Sequence, residues 1–222
     1  MSIQENLNKI KSSIPEHVTL VAVSKTKPIS DLLEAYNAGQ RIFGENKIQE
    51  MVEKFEALPK DIAWHMIGHV QSNKVKYMAP FVSLIHGVDK FSLLEEINKQ
   101  AKKNSRIINC LLQIKIAEED SKFGLSPEKA SEILQSEAFS ELKNVKIVGV
   151  MGMATFTDNQ IQIKNEFSLL KETFNTLKAL KSFNFQPEII SMGMSGDYQL
   201  AISCGSTMIR VGSSIFGERN YS

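Results

Sequence analysis

The feature that most constrains the fold is a regular alternation between short β-branched apolar runs and longer segments with the period of an amphipathic helix. The runs predict strands at Val18–Ser24, Arg41–Phe43, Ile62–Met66, Leu84–His86, Ile108–Ile116, Val145–Val150, Glu188–Ser191 and Met208–Val211. The intervening segments predict helices at Ile29–Ala38, Lys47–Leu58, Ser92–Lys103, Pro127–Gln135, Ile161–Leu180 and Gly196–Ser203. Strands that alternate with helices pair in parallel through right-handed crossovers.

Eight strands with intervening helices in 222 residues predict an α/β fold, a single (β/α)8 TIM barrel preceded by an N-terminal helix. No low-complexity tract, repeat or long linker divides the chain, so residues 1–222 are predicted to form one domain. The alternative is an open doubly wound sheet, but no GxGxxG turn follows the first strand. In a barrel, functional residues are expected just after the strands, in the βα loops.

Local signals place several helix ends. Ser126 precedes Pro127 as a predicted N-cap, and Ser92 to Glu95 has the spacing of a capping box. Gly39 lies where a left-handed residue would end a helix.

The charge balance and the apolar segments exclude several classes of partner. The chain has 26 Lys and Arg against 25 Asp and Glu, a net charge of +1, which does not favour a nucleic-acid partner. Its most apolar segment, Ile147–Phe156, is about ten residues long, whereas a bilayer span needs about twenty. The N-terminus has no secretory signal, so we expect a cytoplasmic protein with no membrane partner.

No metal site is predicted. Cys110 and Cys204 are far apart and have no CxxC partner, so both are expected to be free thiols. His65 and His69 have helical i, i+4 spacing but lack the HExxH pattern of a zinc site, which favours histidines that bind no metal.

Lys25 is the first long side chain after the first predicted strand. A lysine in a partly dry pocket has a lowered amine pKa and can form a Schiff base with an aldehyde. After the second strand, Asn46 either offers an amide donor to a ligand or caps the helix predicted from Lys47.

The loops after the last two strands have the composition of a phosphate site. Ser195 lies where a helix would begin after the seventh strand, and Gly212 and Ser213 follow the eighth. Arg210 shares a strand face with Gly212 and, inside a barrel, must meet an acid or a ligand. A lysine, a phosphate cradle and a buried arginine together indicate a phosphorylated aldehyde such as pyridoxal 5′-phosphate (PLP).

The sequence also resembles the pyridoxal phosphate homeostasis protein family, which has an alanine-racemase-like N-terminal domain. The matching stretches are Val21–Pro28, Phe43–Glu50, Trp64–Lys74, Ile85–Asp89, Ser191–Asp197, Gly205–Gly212 and Ile215–Arg219. They extend from the first strand to the C-terminus. One departure is Gly87, where many members are expected to have serine, and this weakens any role for a hydroxyl in that loop.

The resemblance implies a fold type III PLP-binding barrel that carries the cofactor covalently, as an internal aldimine on Lys25. It implies that Arg210 contacts the pyridine nitrogen and that Asn46 lies near the ring. The residues that it implies for phosphate binding are Ser195, Thr207, Gly212 and Ser213.

The resemblance and the residues together favour a carrier over an enzyme, so no catalytic residue is assigned. The barrel leaves no second domain for an opposing base, and an arginine at the ring nitrogen would restrain carbanion chemistry. We expect a monomer that stores PLP or delivers it to PLP-dependent apoenzymes. The alternatives are a low-activity PLP-dependent racemase or lyase, and a phosphosugar enzyme that uses Lys25 as its Schiff-base residue.

Overall fold

The strands form a closed parallel barrel. The computed structural model describes residues 2–118 and 123–218, and within these ranges the strands pair in chain order, with β8 returning to β1. The strands are β1 (Thr19–Val23), β2 (Ile42–Glu45), β3 (Ala63–Met66), β4 (Leu84–Val88), β5 (Ile108–Gln113), β6 (Val145–Met151), β7 (Phe185–Ser191) and β8 (Met208–Val211). The predicted (β/α)8 barrel is confirmed, and the open sheet is excluded.

The helices surround the barrel. They are α1 (Ile3–Ser13), α2 (Ile29–Asn37), α3 (Ile48–Ala57), α4 (Val75–Met78), α5 (Phe91–Lys103), α6 (Pro127–Gln135), α7 (Glu137–Ser140), α8 (Gln160–Lys178), α9 (Tyr198–Ser203) and α10 (Ser213–Phe216). The predicted N-terminal helix is therefore present. Because α10 is a single turn, α1 packs against both α2 and α10 and fills the gap between the first and last units. The Asn6 side chain donates to the Ile215 carbonyl at 3.1 Å across this junction.

The predicted strands all exist, with shifts at their ends. β5 ends at Gln113 rather than Ile116, because Ile114 leaves the sheet to bridge Leu125. β7 begins at Phe185, earlier than predicted, since Gln186 and Pro187 interrupt the apolar pattern. The one-turn helices α4, α7 and α10 are too short to have been predicted from periodicity.

Two of the predicted helix ends are confirmed and one is wrong. Ser126 caps α6 by accepting from the Lys129 N–H, and Gly39 has a left-handed φ of 86°. The capping box at Ser92 does not form: α5 begins at Phe91, with Lys90 at the N-cap and no side-chain cap. The apolar Phe91 packs against the core, and this contact draws the start of the helix one residue earlier.

The barrel interior has an apolar layer beneath a polar one. The apolar layer combines Val21, Leu84, Leu111, Met151 and Met208 from five strands, separate from the larger core that the helices share. The polar layer consists of buried side chains one step further along the strands. His86 on β4, Gln113 on β5 and Arg210 on β8 each come two residues after a member of the apolar layer, and Ser191 lies on the neighbouring strand β7. The polar layer therefore lies nearer the carboxyl ends of the strands, where barrel sites are built.

No helix in the described part of the chain is long and apolar enough to cross a membrane.

Gly149 provides a test of the barrel wall. It has φ 154° at a register shift between β6 and β7, and a Cβ there would overlap the carbonyl oxygen of Ile189. We expect Gly149→Ala to lower the free energy of unfolding by about 3 kcal/mol, because both the backbone and its neighbour must move. Gly196→Ala is the matched control, since a Cβ there meets nothing within 4 Å. Urea unfolding followed by circular dichroism measures both variants, and equal stabilities would contradict this account.

Candidate functional site

A cavity of about 500 Å³ opens at the carboxyl ends of β1, β2, β7 and β8. It is lined by Val23, Lys25, Lys27, Asn46, Ile67, Met153, Phe156, Met194, Ser195, Gly196, Asp197, Arg210, Gly212, Ser213 and Gly217. Its size lies in the usual range of small-molecule sites, about 300–1,000 Å³. Because parallel strands all end on one rim, loops distant in sequence meet here.

Most of the sequence-predicted site residues meet in this cavity. They are Lys25 after β1, Asn46 after β2, Ser195 after β7, Arg210 on β8, and Gly212 and Ser213 after β8. Lys25 is half-buried, at the position where β1 ends against the loop that leads to α2. The structure thus brings six of the predicted site residues together around one cavity.

Thr207 is separated from the others and does not line the cavity. It precedes β8, at the amino end of the barrel, and its Oγ1 accepts from the Ile190 N–H at 2.9 Å. Gly212 is five positions further along the chain, a distance of roughly 16 Å along a strand. The phosphate role implied for Thr207 by the resemblance is therefore corrected, because its hydroxyl stabilises the start of the β7–β8 pair.

Asn46 is not a helix cap. The N-cap of α3 is Lys47, and it makes no side-chain cap bond. Gly68 packs so closely on the Asn46 backbone that a Cβ would overlap the Asn46 carbonyl oxygen. This contact fixes the loop after β2 against the loop after β3, with the Asn46 side chain at the cavity.

Ser195 and Gly212 join the two loops expected to hold phosphate. The Gly212 N–H donates to Ser195 Oγ at 3.2 Å. Since Ser195 Oγ accepts from the backbone, its own hydroxyl proton remains available for an acceptor in the cavity. Ser213 begins α10 directly after Gly212 and faces the same space.

Arg210 places a guanidinium in the buried polar layer. Its NH1 donates to Ser191 Oγ at 2.7 Å and its NH2 to the Gly152 carbonyl at 3.0 Å. Burial lowers the pKa of Arg210 to about 10, and the nearby Asp197 carboxylate opposes this shift. No carboxylate in residues 2–118 or 123–218 forms an ion pair with Arg210. Its charge is therefore available to a ligand.

A hydrogen-bonded chain extends from Arg210 across the barrel. His86 Nδ1 lies 3.0 Å from Ser191 Oγ, and His86 Nε2 lies 3.0 Å from His65 Nδ1. Because Ser191 Oγ accepts from Arg210, its hydroxyl donates to His86 Nδ1. In that arrangement His86 donates from Nε2–H to His65 Nδ1, and both imidazole rings are neutral. Desolvation lowers the pKa of His65 to about 3 and that of His86 well below its usual range.

The two histidines considered as metal ligands point to different partners. His65 belongs to the chain above, whereas His69 Nδ1 pairs with Asp89 Oδ2 at 3.2 Å. Among the described residues, no group of three potential ligands is close enough to hold a metal ion.

Sequence reasoning missed several functional neighbours. Lys27 lines the cavity and donates to the carbonyls of Phe216 and Glu218, both at 2.9 Å, which fastens the segment after α10 over the site. Asp197 Oδ1 accepts from the Met194 N–H at 2.5 Å and shapes the loop after β7. The sequence position of these two residues could have indicated their role, since each lies two residues after a predicted site residue. Arg219, the last residue of the matching stretches, lies outside the described residues.

The cavity is electropositive. Among its described lining residues, Lys25, Lys27 and Arg210 are cationic and only Asp197 is acidic. Burial raises the pKa of Asp197, which reduces its capacity to neutralise this charge at low pH. A primary amine, buried cationic donors and a serine hydroxyl together suit a small molecule with a carbonyl and an anionic group.

The barrel fold and the sequence profile together place the chain among barrels related to alanine racemase. The sequence profile described as "Alanine racemase, N-terminal domain" matches residues 1–220. The alanine racemase of E. faecalis has the same fold, with a TM-score of 0.78 at 17% identity; the match covers 98% of this chain and 58% of that one.

Closer relatives specify the family. The pyridoxal phosphate homeostasis protein of Haemophilus influenzae is 41% identical over all of this chain and 98% of its own length, and that of Aquifex aeolicus is 39% identical over 91% and 87%. PipY of Synechococcus elongatus, solved with and without PLP, is 34% identical, with TM-scores of 0.88 and 0.91 and coverage of 97% of this chain and 100% of that one. The chain belongs to the pyridoxal phosphate homeostasis protein family.

The buried histidines predict a pH dependence of stability. The folded-state pKa of His65 is about 3, below the usual 6.5, so the unfolded chain binds more protons between these values. The free energy of unfolding should therefore fall as the pH decreases from 6.5, with the share of His65 approaching about 1.4 kcal/mol per pH unit. In His65→Gln this slope should be smaller by that share between pH 6.5 and 5. His17→Gln, which replaces an exposed histidine, is the matched control. Urea titrations at several pH values measure the slope of the unfolding free energy against pH. Equal slopes for wild type and His65→Gln would contradict the lowered pKa of His65.

Proposed function

We propose that this protein binds PLP through Lys25 and takes part in intracellular PLP homeostasis, as a store or a source of the cofactor. The observation that carries the proposal is that one cavity joins the Lys25 amine, the Ser195–Gly212 pair and the Arg210 guanidinium. The family membership and the PLP-bound structure of PipY support it.

Lys25 is proposed to hold the cofactor covalently. The bond is a Schiff base: the Lys25 amine adds to the aldehyde carbon, a C=N bond forms and water leaves. Its half-buried position directly after β1 places this residue in the cavity lining, where the aldehyde would bind.

Ser195, Gly212 and Ser213 are proposed to hold the phosphate. The Ser195 hydroxyl proton and the backbone at the start of α10 provide donors, and Lys27 adds a positive charge at the same rim. Asn46 also lines the cavity and is proposed to contact the ring.

Arg210 is proposed to face the pyridine nitrogen. A guanidinium can only donate, so it favours an unprotonated ring nitrogen and a weak electron sink. A ring held in this way suits storage and transfer better than rapid turnover of amino acids. We therefore propose a carrier that acts as a cytoplasmic monomer and supplies PLP-dependent apoenzymes.

The covalent attachment can be tested directly. Wild-type protein incubated with PLP should develop the visible absorption of a Schiff base, and borohydride should bleach it and fix the label on Lys25, as read by peptide mass mapping. Lys25→Ala should lose this adduct. Lys99→Ala, which removes an exposed lysine on α5, should behave as wild type.

A wild-type protein that stays colourless, with no label on Lys25, would overturn the cofactor assignment. The barrel would then be better explained as a phosphosugar enzyme that uses Lys25. Rapid deuterium exchange at Cα of an amino acid, dependent on Lys25, would instead replace the carrier by a racemase or lyase.

The two ends of the site can be separated with pyridoxal, which lacks the phosphate. Ser195→Ala should weaken PLP binding about tenfold, the effect of one charge-assisted hydrogen bond, and leave pyridoxal binding unchanged. Arg210→Gln should weaken both, because its proposed contact is with the ring. Fluorescence or absorbance titration measures the four affinities. Equal losses for both ligands in Ser195→Ala would contradict the phosphate assignment.

A further inference from the structure

A buried ionic cluster lies on the far side of β1 and β2 from the cavity, beneath α3. We name Glu45, Glu50 and Lys54 the α3 triad. Lys54 Nζ lies 2.8 Å from Glu45 Oε1 and 2.7 Å from Glu50 Oε1. Glu45 is fully buried and Lys54 is 5% exposed. None of the three lines the cavity.

The triad bonds to the residues on both sides of Lys25. Ser24 Oγ donates to Glu45 Oε1 at 2.6 Å, and Lys54 Nζ donates to the Ser24 carbonyl at 2.7 Å. On the other side, the Thr26 N–H donates to Glu50 Oε1 at 2.5 Å. The peptide groups that flank Lys25 are therefore anchored from behind the strand.

The turn that the triad holds is a strained one. Thr26 has a φ of 65°, in the left-handed region that β-branched residues rarely adopt. Such a conformation persists only where the surroundings hold it, and here the Thr26 N–H bond to Glu50 does so. Without this bond the backbone at Thr26 would relax from its left-handed conformation. The side chain of the preceding residue, Lys25, would move with it.

Strand alternation explains how an anchor behind the sheet acts on a side chain in front of it. Val23 and Lys25 face the cavity, and Ser24 between them faces α3. Fixing Ser24 and Thr26 thus sets the direction of Lys25 without occupying the cavity.

Stability alone does not account for the triad. A buried ion pair is often no more stabilising than apolar side chains of similar size, because of the desolvation it costs. The second carboxylate oxygen of Glu45 is buried and has no hydrogen-bond partner in residues 2–118 and 123–218, an arrangement unfavourable for stability.

We propose that Glu45, Glu50 and Lys54 are positioning residues that hold the Ser24–Thr26 turn so that the Lys25 amine is aimed into the cavity. This inference rests on the proposed function of Lys25. It also gives a physical role to the Phe43–Glu50 stretch, of which the site itself uses only Asn46.

The test uses Glu45→Gln/Lys54→Met, which removes both members of the fully buried pair together, so that neither is left as an unpaired charge; Glu50 loses its cation but is 22% exposed to solvent. The double variant should fold with a melting temperature near that of wild type. Its rate of Schiff-base formation with PLP, measured by stopped-flow absorbance, should fall about tenfold to a hundredfold, as misplacement of a reacting group predicts. Borohydride should then place part of the label on lysines other than Lys25.

Glu50 gives a second, milder series, because its side chain is 22% exposed and its replacement is tolerated more easily. Glu50→Gln keeps an oxygen for the Thr26 N–H and Glu50→Ala removes it, so the rate should decrease from wild type to Gln to Ala. Lys99→Met, on the surface of α5, is the control for loss of a lysine charge.

The outcomes separate this inference from the function it rests on. If wild type forms no adduct at Lys25, the proposed function fails. If wild type forms it, and a folded double variant and Glu50→Ala form it at the same rate and on the same lysine, the positioning role is overturned while the function stands.

Discussion

The parallel pairing of β1 with β8 is the constraint on which the rest of the molecule depends. Thr19 aligns with Met208 and Ala22 with Val211, so the ladder closes a sheet that would otherwise have two open edges. Closure also places the end of β1 beside the end of β8. The Lys25 amine from the start of the chain and the Gly212 loop from its end thereby share one cavity, although they are 187 positions apart in the sequence.

The barrel interior keeps apolar packing and polar chemistry in two separate layers. The lower layer is apolar and gives the barrel its core, whereas the upper layer contains a cationic guanidinium and two neutral imidazoles joined through Ser191. A buried cation without an ion-pair partner in the described chain costs free energy, and an anionic or electron-rich ligand at the cavity would offset that cost. A ligand that contacts Arg210, as proposed above, would therefore also stabilise the barrel.

The fold could be predicted from sequence because strand periodicity and helix signals are local. The site could be predicted in part, since residues just after strands, such as Lys25 and Asn46, end at one rim in any parallel barrel. By that same rule the phosphate role implied for Thr207 was wrong, because Thr207 precedes β8 instead of following it. The His65–His86 chain and the contact of Lys54 with Ser24 depend on which side chains meet in three dimensions, and no spacing in the sequence encodes them.

The contact of α1 with α10 has a consequence for how the protein is made. Synthesis begins with α1, yet the helix against which Asn6 bonds is completed some 200 residues later. Pairing between segments so distant in sequence is slow and comes after local structure. The nascent chain therefore carries Lys25 through most of its synthesis without the Ser195 and Gly212 loops that complete the cavity. On the ribosome, the cavity is therefore not assembled until the last strand has emerged.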